Sequence, residues 1–323
     1  MNPISVGVWT YGTGSDRYVS DGYKDRLTLT ERIEHIGAVS EVKAIEITYP
    51  GDMNKANFSQ YKPLLDKFGL SVSAIGVELV CGREWKTGSF SSPSQEVREN
   101  TVALVKEAMD FAASINCKMI NLWLGQDGFD YLFQVDYVRA WNYLVNGLRD
   151  CADHNPDIRL GLEYKLSEPR LKCMVDTAGT ALAICQSVGR NNVGVTMDVG
   201  HSLMAKENPA QVAAVLLSQN RLFHIHFNDN YLMADDDMPT GSVHFLHFME
   251  LFYWLKRCGY QGWYSLDMYP YRDDPDEAVR CSIRFIRGME SFVDKSLDDI
   301  SFAKGLEDVP AKVLSGLFDK IFN

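Results

Sequence analysis

Residues 193–201 read V-G-V-T-M-D-V-G-H, an apolar run that ends in Asp198 and, three residues later, His201. A run without polar alternation is typical of a strand that is covered on both faces, as in a parallel sheet. A short turn after such a strand aims the two side chains at one point. A carboxylate and an imidazole that converge there can bind a divalent cation. The same D-x-x-H spacing also fits a helix-capping aspartate followed by an ordinary turn histidine.

The same unit of strand, loop and helix repeats along the chain. The predicted strands are 4–10, 44–49, 72–79, 119–124, 160–164, 193–197, 222–227 and 263–269. The predicted helices are 27–40, 57–68, 94–115, 135–154, 177–188, 209–217, 245–258 and 275–293. Strands that alternate with helices imply a parallel sheet, and eight such pairs predict an α/β fold, a single (β/α)8 TIM barrel, in preference to an open doubly wound sheet.

The domain organisation predicted from this pattern is one catalytic barrel, residues 1–294, with a short C-terminal helical extension, residues 295–323. In the extension, Val313, Leu317 and Ile321 recur at helical spacing, which is typical of an amphipathic helix. We expect this helix to pack on the barrel or on a neighbouring subunit of a homodimer or homotetramer.

Composition excludes several classes of partner. The formal net charge is −11 and the isoelectric point is about 5.1, whereas a nucleic-acid-binding protein normally presents a basic face to the phosphates. The seven cysteines are scattered, which is typical of reduced thiols in a cytosolic protein. The N-terminus lacks a signal-peptide pattern, and no apolar run reaches the ~18 residues of a membrane span. We therefore expect a cytoplasmic protein with no nucleic-acid or membrane partner.

Acidic and imidazole residues recur where the last four predicted strands end, and this end of a barrel carries the chemistry. They are Glu163, Lys165 and Glu168 on the fifth strand, Asp198 and His201 on the sixth, His224 and His226 on the seventh, and Asp267 on the eighth. The loop after the seventh strand adds Asp235 and Asp237. Carboxylates in such numbers repel one another unless a cation lies between them. Oxygen ligands with one imidazole per ion suit Mg²⁺, Mn²⁺ or Co²⁺.

Several segments resemble the xylose isomerase-like (β/α)8 barrels. They are G-V-W-T-Y-G (7–12), G-S-F-S-S-P-S-Q-E-V-R (88–98), W-L-G-Q-D-G (123–128), E-Y-K-L-S-E-P-R (163–170) and F-H-I-H-F-N-D (223–229). A further segment, A-D-D-D-M-P-T-G-S (234–242), is similar to L-rhamnose isomerase. The resemblance implies a metal-dependent sugar isomerase of carbohydrate metabolism. Such an enzyme interconverts the aldose and ketose forms of a small sugar by a metal-assisted hydride shift between C1 and C2. The substrate is expected to be unphosphorylated, because no basic or glycine-rich phosphate cradle is present.

The resemblance also implies a role for each candidate residue, with two divalent ions per subunit as cofactors. The first ion would be held by Glu163, Asp198, His226 and Asp267, and the second, catalytic ion by Asp198, His201, Asp235 and Asp237. Lys165 would donate a hydrogen bond to the sugar carbonyl oxygen, and Trp9 and Trp123 would form apolar walls. The predicted catalytic residues are Glu163, Lys165, Asp198, His201, Asp235 and Asp237, and the predicted substrate-binding residues are Trp9, Trp123, Lys165, Glu168 and His224.

Some positions leave alternatives open. His224 either faces the mouth of the barrel or lies in a layer below the metal. Glu168 either bridges Lys165 or His201, or pairs with Arg170. No residue matches the histidine that assists ring opening in xylose isomerase. Glu46, Tyr49 or Asp52 would have to take its place.

Alternative functions differ in the chemistry that they require. A ketose 3-epimerase would use one ion and two glutamates on opposite faces of C3, but the eighth strand carries the shorter Asp267. A non-catalytic sugar-binding protein and an abasic-site endonuclease are less favoured, the latter because the chain lacks a basic surface for DNA.

Overall fold

The computed structural model describes residues 1–296 and 310–322 of the chain. Its strands are β1 (Ile4–Gly7), β2 (Val42–Tyr49), β3 (Ser71–Val77), β4 (Met119–Trp123), β5 (Gly128–Phe129), β6 (Arg159–Glu163), β7 (Lys172–Cys173), β8 (Val193–Asp198), β9 (Leu222–Phe227) and β10 (Tyr264–Leu266). Eight of them close into a parallel barrel in the order β1-β10-β9-β8-β6-β4-β3-β2, and β5 and β7 form a separate antiparallel pair. The predicted (β/α)8 barrel is confirmed.

Helices lie between successive barrel strands and after the last one. They are α1 (Leu29–Gly37), α2 (Phe58–Phe68), α3 (Gln95–Ser114), α4 (Tyr137–His154), α5 (Ala178–Val188), α6 (Val199–Met204), α7 (Pro209–Ser218), α8 (Phe245–Arg257), α9 (Pro275–Ser296) and α10 (Pro310–Phe322). The last of these is the predicted C-terminal helix. Residues 297–309 and 323 of the predicted extension lie outside the described residues. None of the helices that the structure describes is both long and apolar enough to span a membrane.

Local chemistry explains where elements depart from the predicted bounds. Helix α1 begins at Leu29 and not at residue 27, because Thr28 and Glu31 form a reciprocal capping box. Strand β1 ends at Gly7, since Val8–Tyr11 turns into a 3₁₀ helix. The turn folds the Trp9 indole back over the chain, and a Cβ on Gly7 would lie 2.3 Å from Cε2 of that ring. Glycine at this position therefore lets Trp9 reach the mouth of the barrel.

The interior of the barrel is partly polar. Glu46, Thr196, His224 and Ser265 on four different strands are all at most 1% exposed. The apolar residues that alternate with them pack outward against the helices, as Ile45 and Ile47 do on β2. A buried carboxylate destabilises the fold unless it is hydrogen-bonded. Side chains that can form hydrogen bonds must therefore lie beside Glu46, beneath the mouth of the barrel.

Candidate active site

A cavity of about 390 Å³ opens at the C-terminal ends of the barrel strands. Most of the predicted site residues line it, from strands that are far apart in the sequence. They are Trp9, Trp123, Glu163, Lys165, Glu168, His201, His226, Asp235, Asp237 and Asp267. The fold therefore brings these side chains to one place, as expected for residues at the carboxyl ends of barrel strands.

The first group of potential metal ligands consists of Glu163, Asp198, His226 and Asp267, whose ligand atoms all lie within 4.8 Å of one another. Nδ1 of His226 lies 3.2 Å from Oε1 of Glu163 and 3.0 Å from Oδ2 of Asp267. Three carboxylates and one imidazole nitrogen form a donor set that suits a hard or borderline divalent cation. This is the set that was predicted for the first ion.

The second group consists of Asp198, His201 and Asp235, again within 4.8 Å. Asp198 caps α6 by accepting a hydrogen bond from the His201 backbone N–H at 2.8 Å. The capping interpretation of the D-x-x-H pattern is therefore confirmed, and the cap also brings the two side chains close together, as the metal-binding interpretation requires. Asp237, the fourth predicted ligand, lines the cavity, but within the described structure it does not converge with these three atoms.

The charges in these groups call for a cation. Burial raises the pKa of Asp198, and Asp235, Asp267 and Glu163 raise it further against the opposing effect of His201. Burial and nearby carboxylates likewise raise the pKa of Asp237 well above its usual value. Nδ1 of His201 and Oδ1 of Asp235 are buried and have no hydrogen-bond partner in the described structure. These free ligand atoms fit a divalent ion at the second group.

Glu46 supports His226 from inside the barrel. Its carboxylate lies 3.1 Å from Nε2 of His226 and 3.0 Å from Nε2 of His224, and it accepts a hydrogen bond from the Ser265 hydroxyl at 2.8 Å. Burial alone would raise the pKa of Glu46, but the two histidines outweigh it and lower the pKa. A carboxylate on the far nitrogen of a ligating histidine fixes the tautomer and orients the ring.

His224 does not line the cavity. It was assigned above to substrate binding, but its imidazole is 1% exposed and lies in the layer beneath the ligand groups, bonded to Glu46. The position on β9 two residues before His226 explains this, because alternate residues point to the same side of a strand at successive depths in the barrel.

Lys165 lies at the edge of the second group. Its Nζ is 2.6 Å from Oδ2 of Asp235 and 3.2 Å from Oε2 of Glu168, and it sits 5.1 Å from the centroid of the Trp123 ring. Burial would lower the pKa of Lys165, but Asp235 outweighs burial and raises it, so the ammonium stays charged at neutral pH. Glu168 therefore pairs with Lys165, whereas Arg170 pairs with Asp130 at 2.6 Å.

Three residues that hydrogen-bond to the ligand groups or close their loop were not predicted, although their segments were singled out or flank the predicted strand ends. Asn121 donates to Oε2 of Glu163 at 2.6 Å. Asn228 donates to Oδ2 of Asp198 at 2.7 Å and to Oδ1 of Asp237 at 3.0 Å. Asp229 accepts hydrogen bonds from the backbone N–H groups of residues 243 and 244, which closes the loop that carries Asp235 and Asp237.

The residues considered for ring opening lie in different places. Glu46 is 0% exposed beneath His226, and Tyr49 packs outward, with its ring 5.6 Å from that of Phe111. Asp52 accepts a hydrogen bond from the Thr48 hydroxyl. Thr48 lines the cavity together with Glu78, which was not among the predicted site residues. A lone glutamate near the end of the predicted strand 72–79 gives no signal that distinguishes it from a surface residue.

Comparison with known proteins agrees with the barrel fold. A family model described as xylose isomerase-like TIM barrel matches residues 37–289. The xylose isomerase of Thermus thermophilus is 26% identical over 289 residues, which cover 85% of this chain and 75% of that protein. The xylose isomerase of Thermus caldophilus shows the same identity and coverage.

Solved structures with the same fold include ketose epimerases. A D-tagatose 3-epimerase-like protein superposes with a TM-score of 0.70 at 20% identity, over 91% of this chain and 99% of that chain. An L-ribulose 3-epimerase gives a TM-score of 0.73 at 16% identity, over 93% and 98% of the respective chains. At these identities the likeness establishes the barrel fold and not the reaction.

Proposed function

The chain belongs to the xylose isomerase-like TIM barrel family, and on that premise we propose that it is a divalent-metal-dependent sugar isomerase. It would interconvert the aldose and ketose forms of a small unphosphorylated sugar. The observation that carries the proposal is that the Asp198 carboxylate belongs to both ligand groups, so that two ions would share it.

The ligand atoms indicate which ions would bind. The first ion would be held by Glu163, Asp198, His226 and Asp267, and the second by Asp198, His201 and Asp235, with Asp237 beside them. Carboxylate oxygens with one imidazole nitrogen per group suit Mn²⁺, Mg²⁺ or Co²⁺. Ions bound there would act as Lewis acids toward the sugar oxygens.

The side chains of the cavity would position the sugar for a hydride shift between C1 and C2. Lys165 remains charged and is held at the cavity by Asp235 and Glu168, so its ammonium can donate a hydrogen bond to the carbonyl oxygen, which is where negative charge develops. The indoles of Trp9 and Trp123 line the same cavity. They would exclude water from the two carbons between which the hydrogen moves.

A ketose 3-epimerase is the alternative, because the first ligand group alone would hold its single ion. Two observations favour the isomerase. Both oxygens of Asp267 are engaged, Oδ1 by the Trp9 indole at 2.6 Å and Oδ2 by His226 at 3.0 Å, so Asp267 is poorly placed to exchange a proton at a sugar carbon. The second ligand group and Lys165 would also have no part in a one-ion epimerisation.

An assay on metal-stripped protein tests the proposal. Mn²⁺, Co²⁺ or Mg²⁺ is added back in D₂O with aldoses and ketoses of four to six carbons and their deoxy forms, and the products are separated by chromatography. Metal-dependent aldose formation from a ketose, without deuterium at C3, is expected. Deuterium at C3 without any aldose would identify an epimerase, and metal-dependent binding without turnover would identify a sugar-binding protein.

We also propose that the protein is a cytoplasmic homodimer or homotetramer. The seven free cysteines support a reducing compartment.

Exposed apolar side chains support the oligomer. Leu132 and Phe133, which are 78% and 99% exposed, present apolar surface of the kind that subunit interfaces cover. In the proposed C-terminal extension, Leu317 and Ile321 are partly buried against the core. Light scattering coupled to size-exclusion chromatography measures the oligomeric state, and a monomer at micromolar concentration would contradict it.

A further inference from the structure

Glu78, Thr48 and Asp52 form a hydrogen-bonded chain in the wall of the active cavity. We propose that this chain is a proton relay that opens the ring of the sugar, with Glu78 as the catalytic acid. The inference rests on the proposed function, since ring opening serves an enzyme that acts on the open-chain carbonyl form of a sugar. It deepens that function by assigning a step to residues outside the two ligand groups.

The relay lies across the barrel from the ligand groups. Glu78 directly follows β3, which is four positions from β9 in the closed strand order. His226 on β9 and Glu78 therefore lie on opposite walls of the same cavity. A sugar held by ions on one wall would present its ring to the other.

A single hydroxyl joins the two carboxyl groups. Oγ1 of Thr48 lies 2.8 Å from Oε1 of Glu78 and 2.9 Å from Oδ2 of Asp52. A threonine hydroxyl has one hydrogen to donate, whereas an ionised carboxylate can only accept. Asp52 also accepts a hydrogen bond from the Thr48 backbone N–H at 2.8 Å. In the proposed relay, the Thr48 hydroxyl donates to Asp52 while Glu78 holds the proton that it gives to the sugar, and the hydroxyl donates to Glu78 once that proton has left.

The two ends of the relay face different spaces. Glu78 and Thr48 line the active cavity. Asp52 lines a separate open pocket of about 300 Å³, together with Arg26, Arg32 and Asn57. A proton that leaves Glu78 for the substrate can thus be replaced from the outer pocket through the Thr48 hydroxyl, without passage through the active cavity.

The backbone holds Glu78 in this position. Its N–H donates to the Tyr49 carbonyl oxygen at 3.0 Å, which ties the end of β3 to the end of β2. A Cβ on Gly51 would lie 2.1 Å from Oε1 of Glu78, so the β2–α2 loop reaches the carboxyl group because glycine occupies this position. The acid is therefore fixed by the loop that also carries Asp52.

The proposed step balances in atoms and electrons. Glu78 gives its proton to the ring oxygen as the bond between that oxygen and the anomeric carbon breaks, and the bonding pair stays on the ring oxygen. The anomeric hydroxyl loses its proton to water in the cavity, and the carbon–oxygen double bond forms. Glu78 then regains a proton through Thr48 as Asp52 takes one from water in the outer pocket. The net change is a cyclic hemiacetal converted to a carbonyl and a hydroxyl.

Mutarotation of a freshly dissolved single anomer tests the relay, because it requires ring opening and no isomerisation. We expect the wild-type protein with ions bound to accelerate it and Glu78→Gln to lower that acceleration by about 100-fold, a usual contribution of a general acid. Thr48→Val removes the hydroxyl and should lower it about tenfold, whereas Thr48→Ser keeps the hydroxyl and should retain it. Glu84→Gln, the same change at a side chain exposed outside the cavity, should match the wild type. Equal acceleration by wild type and Glu78→Gln would overturn the relay.

A three-carbon aldose, which cannot close into a ring, separates ring opening from the later chemistry. Glu78→Gln should lose much less activity on this substrate than on ring-forming sugars, and an equal loss on both would overturn the proposal. Isomerisation by the wild type without any Glu78-dependent mutarotation would also overturn the relay and leave the proposed function standing. Glu78-dependent mutarotation in a protein that isomerises no sugar would support the relay and refute the proposed function.

Discussion

Nε2 of His226 lies 3.1 Å from Oε1 of Glu46, a residue 180 positions away in the sequence. Nε2 faces the Glu46 carboxylate, and Nδ1 faces Glu163 and Asp267. Nδ1 is therefore the nitrogen that would bind an ion in the first ligand group after it has lost its proton. The interior of the barrel thus orients the imidazole that would bind the first ion, in the way that carboxylate–histidine pairs do in metal sites.

Glu46→Gln should weaken binding of the first ion by about 10-fold to 100-fold, because a neutral amide no longer fixes the His226 tautomer. Isothermal titration with Mn²⁺ measures the affinity. Glu78→Gln, which changes the same group on the opposite wall, serves as the control and should bind ions as the wild type does. Unchanged affinity in Glu46→Gln would show that Glu46 only fills the barrel interior.

The shared carboxylate predicts a pattern of ion stoichiometry. Asp267→Asn and His201→Asn should each reduce the bound ions from two to one, since each change affects one ligand group. Asp198→Asn should lose both ions, because Asp198 belongs to both groups. Metal analysis of dialysed protein gives the count. Loss of a single ion in Asp198→Asn would contradict a shared ligand.

Affinity for the second ion should increase with pH and level off above the pKa of His201. In the ion-free protein, burial would lower that pKa, but Asp198 and Asp235 raise it to about 9. The ion binds the deprotonated ligand, so protons compete with the ion. Affinity therefore falls by about tenfold for each unit by which the pH decreases and for each proton displaced. Titrations in buffers of different ionisation enthalpy count the protons released. In His201→Asn, the number of protons released on ion binding should fall by about one, so that affinity depends less on pH. A wild-type affinity that does not change with pH would contradict the prediction.

Lys165→Gln should lower kcat by about 10²-fold to 10³-fold, the usual effect of removing a donor to a developing oxyanion. Ion stoichiometry should remain that of the wild type, because Lys165 belongs to neither ligand group. Turnover of the sugar identified in the panel assay and metal analysis give the two measurements. Lys172→Gln removes the same charge at a nearby exposed position and should be without effect. A decrease in kcat in both variants would indicate a general electrostatic effect and not a role of Lys165 at the carbonyl oxygen.

The periodicity of the sequence predicted the fold closely. The strand predicted at 193–197 begins with β8 and ends one residue before it, and the strand predicted at 222–227 coincides with β9. These elements are predictable because burial on both faces of a parallel strand leaves a continuous apolar signal. The 3₁₀ turn at Val8–Tyr11 was not predicted, since its backbone depends on a ring contact with Gly7 and not on a repeating pattern.

The sequence by itself determined the barrel and the strand ends at which acids and histidines would gather, because both follow from local periodicity and from the direction of parallel strands. Only the tertiary structure decided which atoms meet. Lys165 and Asp235 are 70 residues apart, and Glu46 acquires its role from His226 across the closed barrel. Glu78 likewise acquires its proposed role from Thr48 on the neighbouring strand. Such pairings depend on the closure and register of the barrel, which bring distant side chains within hydrogen-bonding distance and leave no trace in the spacing along the chain.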